Sequence, residues 1–110
     1  MKEFNLMLGD CLERMKEIES GTVDMILCDL PYGTTCCSWD AVIPFEKLWP
    51  EYERVIKENG AIVLFGAQPF TAVLACSNLK LFRYEWIWEK SSATGFMNAK
   101  KQPLRAHENV

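Results

Sequence analysis

Features that mark several common protein classes are missing from this 110-residue sequence. It contains one histidine, His107, and no Cys-x-x-Cys pair, so we expect no metal site. No apolar run reaches the roughly 20 residues that a membrane helix needs, and we expect no membrane partner. The N-terminus shows no secretory pattern, because charged and polar residues interrupt it at once. We therefore expect a cytoplasmic location.

Glycine-rich phosphate-binding loops are absent as well. The sequence has no Gly-x-x-x-x-Gly-Lys-[Ser/Thr] segment, which excludes a P-loop nucleotidase. Its six glycines are scattered, and no two of them lie within three positions of each other. The length allows one small domain, which has little stability to spare.

Acidic residues are scarce in the C-terminal part of the chain, although the net charge is −3. Residues 1–60 carry 12 acidic and 6 basic side chains, whereas residues 61–110 carry 3 acidic and 6 basic ones. Lys100, Lys101 and Arg105 follow one another in Ser91–His107, a stretch without any acid. This asymmetry favours a polyanionic partner on the C-terminal side, with an ordinary solvated loop as the alternative.

Apolar residues alternate between strand and helix periods along the chain. Strands are predicted at Phe4–Leu8, Val23–Cys28, Ala61–Phe65 and Phe82–Trp88. Helices are predicted at Cys11–Ile18, from Pro44 to Asn59-Gly60 with a kink or restart at Pro50, and at Pro69–Cys76. From Ser91 onward the chain is polar and loop-like. This order indicates an α/β fold with a mainly parallel sheet.

The segment Asp29-Leu30-Pro31-Tyr32 follows a predicted strand, at the sheet edge where α/β proteins bind ligands. The exocyclic amine of a nucleobase is a poor nucleophile, because its lone pair is delocalised into the ring. The Asp29 carboxylate could accept one N–H and the Leu30 carbonyl the other, which localises the lone pair. Pro31 restricts the backbone and so helps to aim that carbonyl. Tyr32 could stack on a base taken out of the duplex. The alternative is an ordinary Asp-x-Pro turn.

This motif resembles the catalytic motif of DNA adenine-N6 and cytosine-N4 methyltransferases. An aspartate in its first position is typical of the adenine enzymes, while Leu30 replaces the commoner proline. Other segments are similar to the phage and bacterial "beta" arrangement of that family: Leu8–Cys11, Trp39-Asp40, Leu48-Trp49, Arg54–Gly60, Phe65–Phe70, Tyr84–Lys90 and Pro103–Glu108. The resemblance spans essentially the whole chain, in order.

The resemblance implies a partial Rossmann-like methyltransferase fold with helices on the faces of the sheet. It implies S-adenosylmethionine as cofactor, double-stranded DNA as partner and site-specific methyl transfer to a flipped base, with adenine favoured. The implied catalytic residues are Asp29, Leu30, Pro31 and Tyr32. The implied cofactor-binding residues are Asp10, Cys11 and Asp29, and the implied DNA-binding residues are Lys90, Lys100, Lys101 and Arg105.

A part of that family's pattern is missing from these residues. The family carries a Phe-x-Gly-x-Gly turn that holds the methionine end of the cofactor, and the scattered glycines here provide none. We therefore expect residues 1–110 to form a single partial catalytic domain, inactive alone, which a C-terminal part or a second chain would complete. The alternative is a non-catalytic remnant of a phage-type enzyme, inert or weakly DNA-binding.

Three further residues have two interpretations each. Asp10 could lie near the cofactor or could be the N-cap of the first helix. Trp86 and Trp88 could stack on bases, although alternating aromatic residues on a strand favour at least one of them in the core.

Overall fold

The computed structural model describes residues 3–33, 37–38, 40–94 and 105–110. They form an α/β arrangement that divides into two compact units. The first unit comprises Met1–Leu27 and Ile43–Ile62, and the second comprises Cys28–Val42 and Val63–Val110. In the described part of the chain, no helix combines the length and the apolar character needed to cross a bilayer. No three potential ligand side chains are grouped there as a metal site would require.

The first unit begins with a short helix, α1 (Cys11–Arg14), which continues as a 3₁₀ turn over Met15–Glu17. The Asp10 carboxylate caps α1 by accepting the backbone N–H of Leu12 at 2.8 Å, so the N-cap interpretation of Asp10 is confirmed. The predicted helix over Cys11–Ile18 is thus present but tightens and ends one residue early, at Glu17.

Helix α2 (Phe45–Val55) runs through Pro50 as one element, with Leu48, Tyr52 and Val55 buried along one face. A helix interior loses one hydrogen bond at a proline, from the carbonyl four residues earlier. Here that carbonyl belongs to Glu46, and both Glu46 and Pro50 are exposed, so the lost bond lies on the solvent side of the helix. The predicted end at Asn59-Gly60 was wrong, because the chain is already a strand there.

Strands β1 (Val23–Cys28) and β2 (Ile56–Leu64) form a two-stranded parallel sheet. Strand β2 starts five residues before the predicted Ala61. Pairing with β1 overrides the turn tendency of Asn59-Gly60. The two strands approach closely at this point, since a Cβ on Gly60 would stand 3.0 Å from the Asp24 carbonyl oxygen.

The predicted strand at Phe4–Leu8 was wrong, since residues 3–8 are neither strand nor helix. A strand is stabilised by hydrogen bonds to a neighbour and by burial of one face. The described residues provide neither here, and Leu8 is 98% exposed. The apolar pattern of this segment is therefore present without the partner that would make it a strand.

The second unit contains helix α3 (Phe70–Ser77), which lies within one residue of its predicted bounds. It also contains an antiparallel pair, β3 (Ile87–Thr94) and β4 (Arg105–Asn109). Ile87 faces Asn109 and Trp88 faces Glu108, and the register becomes irregular between Glu89 and Thr94.

The aromatic strand predicted at Phe82–Trp88 was therefore placed too early, and the loop predicted from Ser91 onward is partly strand. Strand β3 forms where β4 offers partners, which is later in the chain than the aromatic alternation. The expectation that Trp86 or Trp88 is in the core was also wrong, since they are 55% and 49% exposed.

Candidate functional site

The loop that follows β1 contains the four predicted catalytic residues. Its start is fixed because the Phe65 N–H donates to the Cys28 carbonyl at 3.2 Å, at the ends of the two paired strands. Leu30 is buried, and this anchors the loop by its apolar side chain. The Asp29 carboxylate stays exposed, and Tyr32 is half-buried.

Tyr32 is held on two sides. Its ring stacks on the ring of Phe70, the first residue of α3, with centroids 4.9 Å apart and planes inclined by 26°. Its hydroxyl interacts with the Asp29 side chain, whose charge and hydrogen bonding raise the pKa of the phenol. The carboxylate and the phenol of the predicted motif therefore interact.

The electrostatic surroundings keep the Tyr32 phenol neutral. Burial raises the pKa of the Tyr32 hydroxyl above its ordinary value, and the negative charges of Asp29 and Glu108 and the hydrogen bond to Asp29 raise it further. A neutral phenol is a hydrogen-bond donor, so Tyr32 can orient the Asp29 carboxylate throughout the physiological pH range.

A second carboxylate closes the far end of the loop. Asp40 is 8% exposed, and its Oδ1 accepts the backbone N–H of Gly33 at 3.1 Å. Gly33 has a φ of 74°, which glycine adopts without strain. A Cβ at Gly33 would also stand 2.9 Å from the Val42 side chain, so a larger residue here would require Val42 to shift.

The Phe70 side of the site is fixed by β4. Asn109 is buried and exchanges two backbone hydrogen bonds with Gly66, each 2.8 Å long. The Asn109 Oδ1 accepts the hydroxyl of Thr71 at 2.9 Å. Since Thr71 follows Phe70 in α3, this contact positions the helix turn that presents the Phe70 ring to Tyr32.

One ion pair lies on β3 and β4. The Lys90 Nζ is 3.4 Å from Glu108, and both side chains are largely buried. The same Nζ lies 5.9 Å from the centre of the Trp88 ring, which meets Phe65 edge-on at 6.0 Å. Lys90 is thus already paired with a carboxylate, and a phosphate would have to compete for it.

The predicted site residues separate into groups. Asp29, Leu30, Pro31 and Tyr32 lie together in the second unit, whereas Asp10 and Cys11 belong to the first. Arg105 is the first residue of β4. Lys100 and Lys101 lie outside the described residues.

Sequence reasoning missed the roles of four contributors: Asp40, Phe70, Thr71 and Asn109. Asn109 gave no signal, because an asparagine near a polar segment is ordinary. Phe70 was visible as part of the segment Phe65–Phe70 but had no assigned role. A search of known protein families finds no family model that matches this chain. The site therefore has to be interpreted from its own chemistry: an exposed carboxylate, oriented by a phenol, beside a stacked aromatic pair.

Proposed function

We propose that this chain belongs to a DNA amino-methyltransferase that transfers a methyl group from S-adenosylmethionine to a flipped base, with adenine N6 as the favoured target. The proposal includes the finer fold assignment, a partial Rossmann-like methyltransferase domain. The observation that carries it is the stacking of the Tyr32 ring on Phe70 in the short loop that also presents the exposed Asp29 carboxylate, which interacts with the Tyr32 hydroxyl. These are the two groups that the amine chemistry requires next to each other.

Asp29 provides the hydrogen-bond acceptor for the amine. A carboxylate has two oxygens and about four lone-pair sites, so the bond from Tyr32 leaves capacity for a base N–H. With the Leu30 carbonyl as the second acceptor, the amine nitrogen becomes more tetrahedral and its lone pair available. The N–H proton that is lost after methyl transfer can pass to Asp29 or to water.

Tyr32 provides a surface for the base. One face of its ring is covered by Phe70, which fixes the ring plane. A flipped base would stack on the opposite face, and such stacking contributes about 1–3 kcal/mol per base. A ring held in place before binding loses little conformational entropy when the base arrives.

The residues of this loop fit a cationic methyl donor, because the exposed Asp29 carboxylate favours a neighbouring positive charge. S-adenosylmethionine would supply an electrophilic methyl group. The assignment of Asp10, Cys11 and Asp29 to the cofactor and of Lys90, Lys100, Lys101 and Arg105 to DNA depends on the resemblance and stays a prediction. Because these 110 residues hold no Phe-x-Gly-x-Gly turn, we expect no methylation by them alone.

The test uses the chain fused to a homologous C-terminal part that carries the Phe-x-Gly-x-Gly turn. Incorporation of radiolabelled methyl groups into duplex DNA is measured for the parent fusion and for Asp29→Ala. We expect the variant to lose a factor of about 10²–10³ in rate, which is typical for one preorganised hydrogen-bonding group.

A matched control is Asp24→Ala. Asp24 is another exposed aspartate, within β1 itself, and it pairs with Lys57 at 2.8 Å. We expect near-parent rates for it. Near-parent turnover with Asp29→Ala would show that the catalytic assignment is wrong, and a fusion inactive on every tested DNA would favour the non-catalytic alternative.

A further inference from the structure

The turn after Tyr32 is closed by a side chain. The carboxylate of Asp40 accepts the Gly33 N–H, and Asp40 itself is buried. A buried carboxylate is costly unless it is hydrogen-bonded, so this contact has to be maintained in the folded protein. Gly33 is the immediate neighbour of Tyr32, and fixing its N–H also limits where the Tyr32 backbone can lie.

We propose that Asp40 is a positioning residue that holds the loop Asp29–Gly33 closed, so that Tyr32 stays stacked on Phe70 and bonded to Asp29. This inference deepens the proposed function and rests on it where catalysis is concerned. Asp40 touches neither base nor cofactor in this role. It acts through Gly33.

Two features favour this role over a purely local one. The left-handed backbone at Gly33 reverses the chain directly after Tyr32, and its N–H then points to Asp40 instead of continuing a strand. The other end of the loop is already fixed by the Cys28–Phe65 hydrogen bond. With both ends held, the four residues between them have few alternative conformations.

The first test uses nuclear magnetic resonance on the full 110-residue chain. In the parent, we expect the Gly33 amide to exchange with solvent at least about tenfold more slowly than in a free peptide, the effect of one hydrogen bond. We also expect cross-relaxation between the Tyr32 and Phe70 rings. Asp40→Ala should abolish the slow exchange of the Gly33 amide and the cross-relaxation between the two rings. Asp40→Asn should retain both effects, because its amide oxygen can still accept the Gly33 N–H.

Three results would overturn the inference. The first is a Gly33 amide that exchanges as fast in the parent as in a free peptide. The second is a ring contact that persists in a folded Asp40→Ala variant, and the third is loss of that ring contact in Asp40→Asn. The parent measurement decides the point even if Asp40→Ala does not fold. Asp24→Ala is the control for loss of an aspartate that does not bind Gly33. It should leave the Gly33 amide exchange and the ring contact unchanged.

The second test uses the complemented fusion enzyme. Asp40→Ala should lower kcat by about 10²-fold, the effect of a displacement of about 1 Å in the reacting groups, and Asp40→Asn should recover most of it. Parent-like kcat in Asp40→Ala would contradict the inference. If the parent fusion is inactive, the proposed function fails, and the nuclear magnetic resonance result alone decides whether Asp40 positions the loop.

Discussion

Asn109 pairs with Gly66 through both backbone groups, each N–H donating to the other residue's oxygen at 2.8 Å. The Asn109 side chain extends this contact by accepting the Thr71 hydroxyl. Three segments that are distant in sequence therefore meet at one point: Gly66, two residues after the end of β2, the first turn of α3 and the end of β4. The stacked rings of Tyr32 and Phe70 depend on this junction, because Phe70 precedes Thr71.

Replacing Asn109 by alanine should destabilise the fold by about 1–3 kcal/mol. The substitution leaves the backbone pairs intact but removes the acceptor of the half-buried Thr71 hydroxyl. Urea unfolding followed by circular dichroism measures the difference. Asn5→Ala is the control, since Asn5 is exposed and outside any helix or strand. An unfolding free energy equal to that of the parent would show that the side-chain bond contributes nothing.

Gly66→Ala should cost about 1–3 kcal/mol through steric overlap rather than backbone strain. The new Cβ would lie 2.7 Å from the Thr71 Oγ1 and 3.4 Å from its Cα. Thr71→Ala removes the nearer atom, so the double variant should be more stable than the sum of the two single effects predicts. A double-mutant cycle of unfolding free energies measures this coupling. Strict additivity would mean that the two residues do not make this contact.

Arg54→Lys should destabilise the first unit nearly as much as Arg54→Ala, by about 2 kcal/mol. The guanidinium donates to the carbonyls of Ile18 at 2.7 Å and Met15 at 2.8 Å, two acceptors that one ammonium group cannot satisfy in the same geometry. Arg14→Ala is the control, because its exposed pair with Glu17 contributes little. Full retention of stability in Arg54→Lys would contradict this account.

The sequence predicted the elements that depend on local signals. Helix α3 and strand β1 lie where apolar spacing placed them, and Asp10 caps α1 as its position before a helix suggests. The errors occurred where tertiary pairing decides. Asn59-Gly60 would end a helix in isolation, but pairing with β1 extends β2 across it.

The candidate site was predictable to a similar extent. The four residues Asp29–Tyr32 are contiguous, so the sequence itself predicts that they share one loop. Phe70 and Asn109 come from segments about 40 and 80 residues away. No local pattern indicates that β4 pairs with Gly66 or that α3 directs its first ring toward Tyr32.

The Tyr32 hydroxyl should make stability fall at alkaline pH, and Tyr32→Phe should reduce that fall. Burial, followed by the charges of Asp29 and Glu108, raises the pKa of this phenol in the folded state, so ionisation is easier in the unfolded chain. The contribution of this hydroxyl to stability is complete below the ordinary tyrosine pKa of about 10 and is lost as pH rises toward the higher folded pKa.

Thermal unfolding between about pH 8 and about pH 11 compares the parent with Tyr32→Phe. We expect Tyr32→Phe to be less stable than the parent near neutrality, because the interaction of the hydroxyl with Asp29 is lost, and to approach the parent as pH increases. Tyr84→Phe, at an exposed ring, should follow the parent curve at every pH. Parallel curves for the parent and Tyr32→Phe would show that the phenol does not experience these carboxylates.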